Sequence, residues 1–235
     1  MAPKIIFGFI IVIAAIIGIS QAWFRYEEKN EVLDIRNKVK TAKTRGQREL
    51  RLPPPIPYYS NVRDLDDALG NYSTVIAEPI SVHTRLSSDS SRIEAWYKFK
   101  LIDFLSHPEK PHDCGSCETI KEIPPEVLPV NENEVLIVRY AGKLEVDGVN
   151  VRSEDLTFPD YQLNQKYLLF LTLDLNSRIA SVELGPQGVS LISTDGELHS
   201  IAPNSQKLSQ SLKDRYGKVS TLKDALKFRK FSRQQ

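Results

Sequence analysis

The stretch Ile93–Phe104, IEAWYKFKLIDF, decides the fold class. Ile93, Ala95, Tyr97, Phe99 and Leu101 fall on one side, and Glu94, Trp96, Lys98, Lys100 and Ile102 on the other. A period of two sustained over so many residues is a β-strand with one face on a core and one toward water. Upstream, the Ser-rich stretch Ser87–Ser91, which contains Asp89, has turn composition. It leads back to Tyr72–Val82 (YSTVIAEPISV), an apolar and β-branched run that reads as the preceding strand. Glu134–Tyr140 (EVLIVRY) is the next strand after a long loop.

Beyond it, Asp147-Gly148 sits between Lys143–Val146 and Val149–Arg152, which is the chemistry of a type I′ hairpin. Lys166–Asp174 (KYLLFLTLD) is apolar on both faces and is expected to be central. Asn176-Ser177 turns it into Arg178–Leu184, and a last hairpin runs through Asp195-Gly196. A short helix is expected over Asn61–Leu69, with acid in its first turn and Gly70 closing it. The tail from Ser205 to Phe231 reads as helical with a break near Gly217, so that Leu208, Leu212, Tyr216, Leu222, Leu226 and Phe228 face the sheet. Short strands, hairpins and frequent turn signals give a mainly β fold, an antiparallel small barrel or sandwich with a C-terminal helix.

The segments STVIAEPISV, IEAWYKFKLIDF and QKYLLFLTL together resemble the five-stranded OB-like barrels of the netrin/TIMP type, over residues 72–184. The resemblance implies a fold. Inhibitors of that family act through a free N-terminal cysteine, and this sequence offers none where one would be needed, so the inhibitory activity is not carried over. The chain is also similar to uncharacterised single-pass anchored bacterial proteins.

Residues 5–24, IIFGFIIVIAAIIGISQAWF, are uncharged between Lys4 and Arg25. Twenty residues at about 1.5 Å each match a hydrocarbon core of about 30 Å, so a transmembrane helix is expected there. Trp23, Phe24 and Tyr26 stand where interfacial aromatics would. The rival reading is a cleaved signal peptide, for which Ser20-Gln21-Ala22 offers a loose site. A count of nearby Lys and Arg would leave the domain in the cytoplasm. Long domains cross largely regardless of charge, and an extracytoplasmic domain is expected.

Residues 1–4 are then a short tail, 25–52 a helical stalk, 53–60 a Pro-rich linker, 61–204 the β domain and 205–235 the helical tail. In the stalk Val32, Ile35, Val39 and Ala42 make a narrow apolar stripe. That stripe either lies on the following domain or membrane surface, or zips two chains into a homodimer. Ala14 and Gly18 would let two membrane helices approach.

A net charge of +1 argues against nucleic acid as a partner. No nucleotide-binding, serine-hydrolase or zinc-protease motif occurs, and no catalytic residue is assigned. The chemically suggestive motif is Cys114-Gly115-Ser116-Cys117, with His112 and His107 nearby. Those four side chains are soft-metal ligands and would suit zinc. The same cysteines could form a redox pair or a local disulfide, or stand idle. The Cys114 loop together with an outward face of Trp96 is the expected surface for an unknown protein partner, and residues 5–24 contact membrane lipid. The expected function is a single-pass anchored binding or assembly module; the alternative is a metal- or thiol-dependent protein using the Cys114/Cys117 loop.

Overall fold

The structure is a computed structural model that describes residues 34–54, 59, 62–108, 122–174, 176–201 and 206–232. Its frame is a long hairpin of two fourteen-residue strands, β2 (Ser73–Leu86) and β3 (Ile93–Ser106). Register shifts interrupt their pairing, one of them between Pro79 and Ser81. A proline has no N–H to give the ladder, and such irregularities bend and twist the strands that carry them.

The remaining strands follow from this hairpin. β3 pairs antiparallel with β4 (Glu134–Arg139), and β4 pairs in parallel with β8 (Ile179–Ser181). β8 pairs antiparallel with β7 (Lys166–Asp174), and β7 pairs antiparallel with β2. These pairings return to the strand from which they began. β9 (Val189–Ile192) and β10 (Leu198–Ser200) extend the sheet from β7.

β7 is central, as its apolar character implies, and its two faces serve two cores. Tyr167, Leu169 and Leu171 join Val75, Ala77, Tyr97, Phe99, Val135 and Ile137. Leu168 and Phe170 join a second core closed by helices. Those helices are α2 (Leu65–Asn71), α3 (Gln206–Tyr216) and α4 (Val219–Ser232). Asp64 caps α2, its carboxylate accepting the Asp67 N–H at 2.9 Å. The helix starts and ends later than expected and runs through Gly70. The C-terminal break falls at Gly217, whose φ of +63° suits glycine, and Leu208, Leu212, Leu222 and Leu226 are buried.

A second sheet joins β5 (Gly142–Val146) to β6 (Val149–Ser153) through Asp147 and Gly148, both with positive φ, as the hairpin reading expects. Its third member is a difference from expectation. β1 (Glu49–Arg51) pairs in parallel with β6, so residues 49–51 are strand and not the end of a stalk helix. The preceding helix, α1, covers only Ile35–Thr44 and is capped by the Asp34 side chain.

The helix lies on the domain. Ile35 and Val39 are fully buried and Ala42 nearly so, against Leu52, Ile93, Val149 and Val151. The stripe that two stalks would zip together is thus occupied within the chain, and its physical reason is the apolar face left by the small sheet. Among the described residues no helix is long and apolar enough to cross a membrane. The expected tail 1–4, the transmembrane segment 5–24 and stalk residues 25–33 lie outside the described residues.

If α1 is an integral part of this fold, Val39→Ala should cost about 2 kcal/mol and lower Tm by about 4–8 °C. An unchanged melting curve would mean that the helix stands apart from the domain.

Candidate functional site

A buried polar site is built at the end of β4. Arg139 closes the apolar strand Glu134–Arg139 and is itself buried. Its guanidinium Nη1 donates to the Pro159 carbonyl at 2.9 Å and to Asp160 Oδ1 at 3.0 Å, while Nη2 donates to the Phe158 carbonyl. Nη2 also lies 3.9 Å from Asp155 Oδ2. The planar fork suits several acceptors held at fixed angles, which a lysine could not match.

Asp155 organises the loop that brings these acceptors in. Its Oδ1 accepts the N–H groups of Thr157 and Phe158 and the Thr157 hydroxyl, a local turn of the kind aspartate favours. Its Oδ2 accepts the Tyr59 hydroxyl at 3.1 Å.

Aromatic rings fill the space beneath. Tyr161 meets Tyr97, Phe99, Phe158 and Tyr167 edge-on, with centroids 4.9–5.5 Å apart. The guanidinium of Arg139 stands 4.4 Å from the Phe158 ring centroid. Burial pushes the phenols of Tyr161 and Tyr59 well above the ordinary tyrosine range, and Asp155 adds to the effect on Tyr59. Burial, then the Asp160 charge, raises Tyr97 to about 12. The Tyr161 hydroxyl has no hydrogen-bond partner among the described residues. The phenols are therefore neutral at physiological pH, and the guanidinium is enclosed by acceptors. Such an arrangement clamps a loop onto the sheet. A shallow cleft of about 450 Å³ opens beside the clamp, lined by Lys143, Glu154, Asp155, Leu156 and Asp160 among others. Leu156 projects from its rim, 85% exposed.

The second site corrects an expectation. Trp96 is only 1% exposed and offers no outward face to a partner. Its Nε1–H donates to Glu94 Oε2 at 3.1 Å, and the same oxygen accepts Arg85 Nε–H at 3.1 Å. The Arg85 guanidinium stands 5.5 Å from the indole centroid. The cause is the segment after β3. Val127, with Ile123 and Val130 beside it, covers Trp96 and Leu136. Lys98 Nζ donates to the Pro129 carbonyl at 2.8 Å, and Arg85 Nη2 donates to the Glu122 carbonyl at 3.2 Å. The face of β3 expected to be wet is thus roofed near Trp96, while Lys100 and Ile102 further along stay exposed.

Of the expected metal ligands, His107 is exposed and its ring stacks on Phe104 at 4.9 Å. Cys114, Cys117 and His112, and with them the expected disulfide, lie outside the described residues. Among the described residues no group of three or more His, Cys, Asp or Glu side chains is placed to hold a metal ion.

The Arg139 clamp differs from every site the sequence suggests. Its signal was a charged residue closing the apolar run EVLIVRY and an aromatic loop, DLTFPDYQ, with two aspartates to meet it. Set against known proteins, the chain matches no family model, no curated protein and no solved structure.

Trp96→Ala should destabilise the fold by about 3–5 kcal/mol, as loss of a buried aromatic does, and a stable variant would contradict its place in the core. Arg139→Met should cost about 3 kcal/mol by leaving Asp155 buried without its cation, and adding Asp155→Asn should recover part of the loss. In a denaturation cycle, simple additivity of the two changes would refute the coupling. The raised tyrosine pKa values also set an alkaline limit. The unfolded phenols ionise near about pH 10, whereas the folded ones hold their protons. Their contribution is complete below about pH 10 and is lost as pH rises through about 12. Phenolate absorbance should show these rings titrating late and together with unfolding.

Proposed function

We propose that this is a single-pass, membrane-anchored protein whose mainly β domain is an OB-like barrel acting as a binding or assembly module outside the cytoplasm. The observation that carries the anchor is the uncharged run 5–24, which ends ten residues before the domain begins at Asp34 with the cap of α1. A run of that length and composition is expelled by water and accepted by hydrocarbon.

The barrel reading rests on the ring of pairings β2–β3–β4–β8–β7–β2, with β4 and β8 parallel and the other neighbours antiparallel. A five-stranded ring has no free edge between its members and presents its connecting loops at two ends. The loop clamped by Arg139, with the cleft and Leu156 beside it, is the surface on which a protein partner would be read. The polar centres of the domain hold loops down, which supports binding over turnover.

A second reading is favoured by one feature, the C-x-x-C of Cys114 and Cys117 close to His107 and His112. In that reading the loop binds zinc or exchanges a disulfide.

The anchor is tested by expressing the full chain and washing its membranes with alkaline carbonate. The chain should stay in the pellet. A double change in the apolar run, Ile10→Lys with Ile13→Lys, should move it to the supernatant, because each charge at mid-bilayer costs about 3 kcal/mol. Release of the unaltered chain by carbonate would overturn the proposal. Metal analysis of the full chain separates the second reading, for which stoichiometric zinc lost in Cys114→Ser is the expected result.

A further inference from the structure

We propose that the solvent face of α1 is a docking surface for anionic lipid headgroups, laid against the bilayer that holds residues 5–24. The inference rests on the anchored reading above and adds to it which side of the domain meets the membrane and which lipid it selects.

The charge of this chain is not evenly spread. Residues 35–48, IRNKVKTAKTRGQR, hold Arg36, Lys38, Lys40, Lys43, Arg45 and Arg48 and no acidic residue. Residues 34–54 carry seven Lys and Arg against two Asp and Glu, a net +5, and residues 1–33 carry three of each. The whole chain is +1, so everything after Pro54 sums to −4. The cationic charge is therefore concentrated in the block beside the apolar run.

Folding turns that block outward. Ile35, Val39 and Ala42 face the small sheet, and Arg36, Lys38, Lys40 and Lys43 are left on the exposed side of the helix. Acid in the first turn would favour the helix dipole, yet α1 has none there. Arg36 donates to the Ser90 hydroxyl at 3.0 Å and Lys43 to the Asp147 carbonyl at 3.1 Å, both neutral acceptors. Among the described residues no carboxylate lies within ion-pair distance of any of the six. Four exposed cations on one helix, unpaired with any carboxylate among the described residues, in a chain whose remainder is net acidic, call for an external anion.

The position of the face selects lipid as that anion. Ten residues, 25–34, separate the apolar run from α1, and fully extended they reach at most about 35 Å. The basic face is thus tethered close to the headgroups, where a high local concentration compensates for weak individual contacts. Attraction of Lys and Arg to anionic leaflets acts over a Debye length of about 10 Å. A long nucleic acid would have to pass the acidic remainder of the domain, whereas a planar bilayer meets only the face turned to it.

The test uses the full chain in nanodiscs of phosphatidylcholine, with or without phosphatidylglycerol, and follows amide hydrogen exchange. Adding the anionic lipid should slow exchange across Ile35–Thr44 by about fivefold or more, an effect of the order of one basic residue's lipid contact. Exchange in β2 and β3 should not change, which separates docking from global stabilisation. Lys38→Glu with Lys40→Glu, both exposed, should abolish the difference without altering the fold, and high salt should do the same. Equal exchange of α1 in both discs, with the chain retained, would overturn the lipid surface while leaving the anchor intact. Failure to enter either disc would remove the anchor and this inference together. Equal protection of α1 by an oligonucleotide added to the zwitterionic discs would assign the face to a polyanion instead.

Discussion

β3 supplies a residue to each of the four hydrophobic cores: Leu105 to the helix-covered core, Ala95, Tyr97 and Phe99 to the core on the other face of β7, Ile93 to the one beneath α1 and Trp96 to the one under the loop segment. This sharing constrains everything else. A strand of fourteen residues in a chain of this size outruns any single layer that could cover it, so different elements must cover different lengths of it. The interruptions in its pairing with β2 turn successive lengths toward successive partners. Helices α2, α3 and α4, the small sheet with α1, and the 122–130 segment are the separate answers to one long apolar surface.

Two buried charges, Glu94 and Arg139, lie at junctions between elements. Glu94 sits where β2, β3 and the loop segment meet, satisfied by Trp96 and Arg85. Arg139 sits where β4 meets the loop before β7, satisfied by two carbonyls and Asp160. A buried ion held this way adds little net stability over a well-fitted apolar group, but removing its partner is expensive. Such groups fix which loop docks where, since an incorrectly seated loop leaves a charge without acceptors.

The alternation of IEAWYKFKLIDF, the Asp147-Gly148 turn, the central β7 and the break at Gly217 were legible because each is a local property, set by side-chain period or by a residue that accepts positive φ. The burial of Trp96 is not legible, because alternation separates two faces without revealing that a distant segment roofs the second. The apolar residues of that roof, Ile123, Val127 and Val130, stand four and three apart, but Pro124, Pro125 and Pro129 among them interrupt any regular helix or strand. The early end of the stalk helix is hidden for a similar reason. Residues 47–51 favour helix by composition, and only the free edge of β6 draws Glu49–Arg51 into a parallel ladder. The Arg139 clamp depends on a meeting between residues about twenty apart, Arg139 with Pro159 and Asp160, to which no spacing rule points.

The way β1 joins the small sheet has a mechanical consequence. A pull on the chain ahead of Asp34 reaches the domain through α1, whose Ile35 N–H donates to the Ser90 carbonyl at 2.9 Å, and then through a ladder only three residues long. Those few hydrogen bonds and the apolar contacts of one short helix are the weakest links along that line of force. They would give way before the paired strands separate, releasing residues 34–54 as about 70 Å of slack. The segment thus behaves as a fuse that yields before the paired strands do.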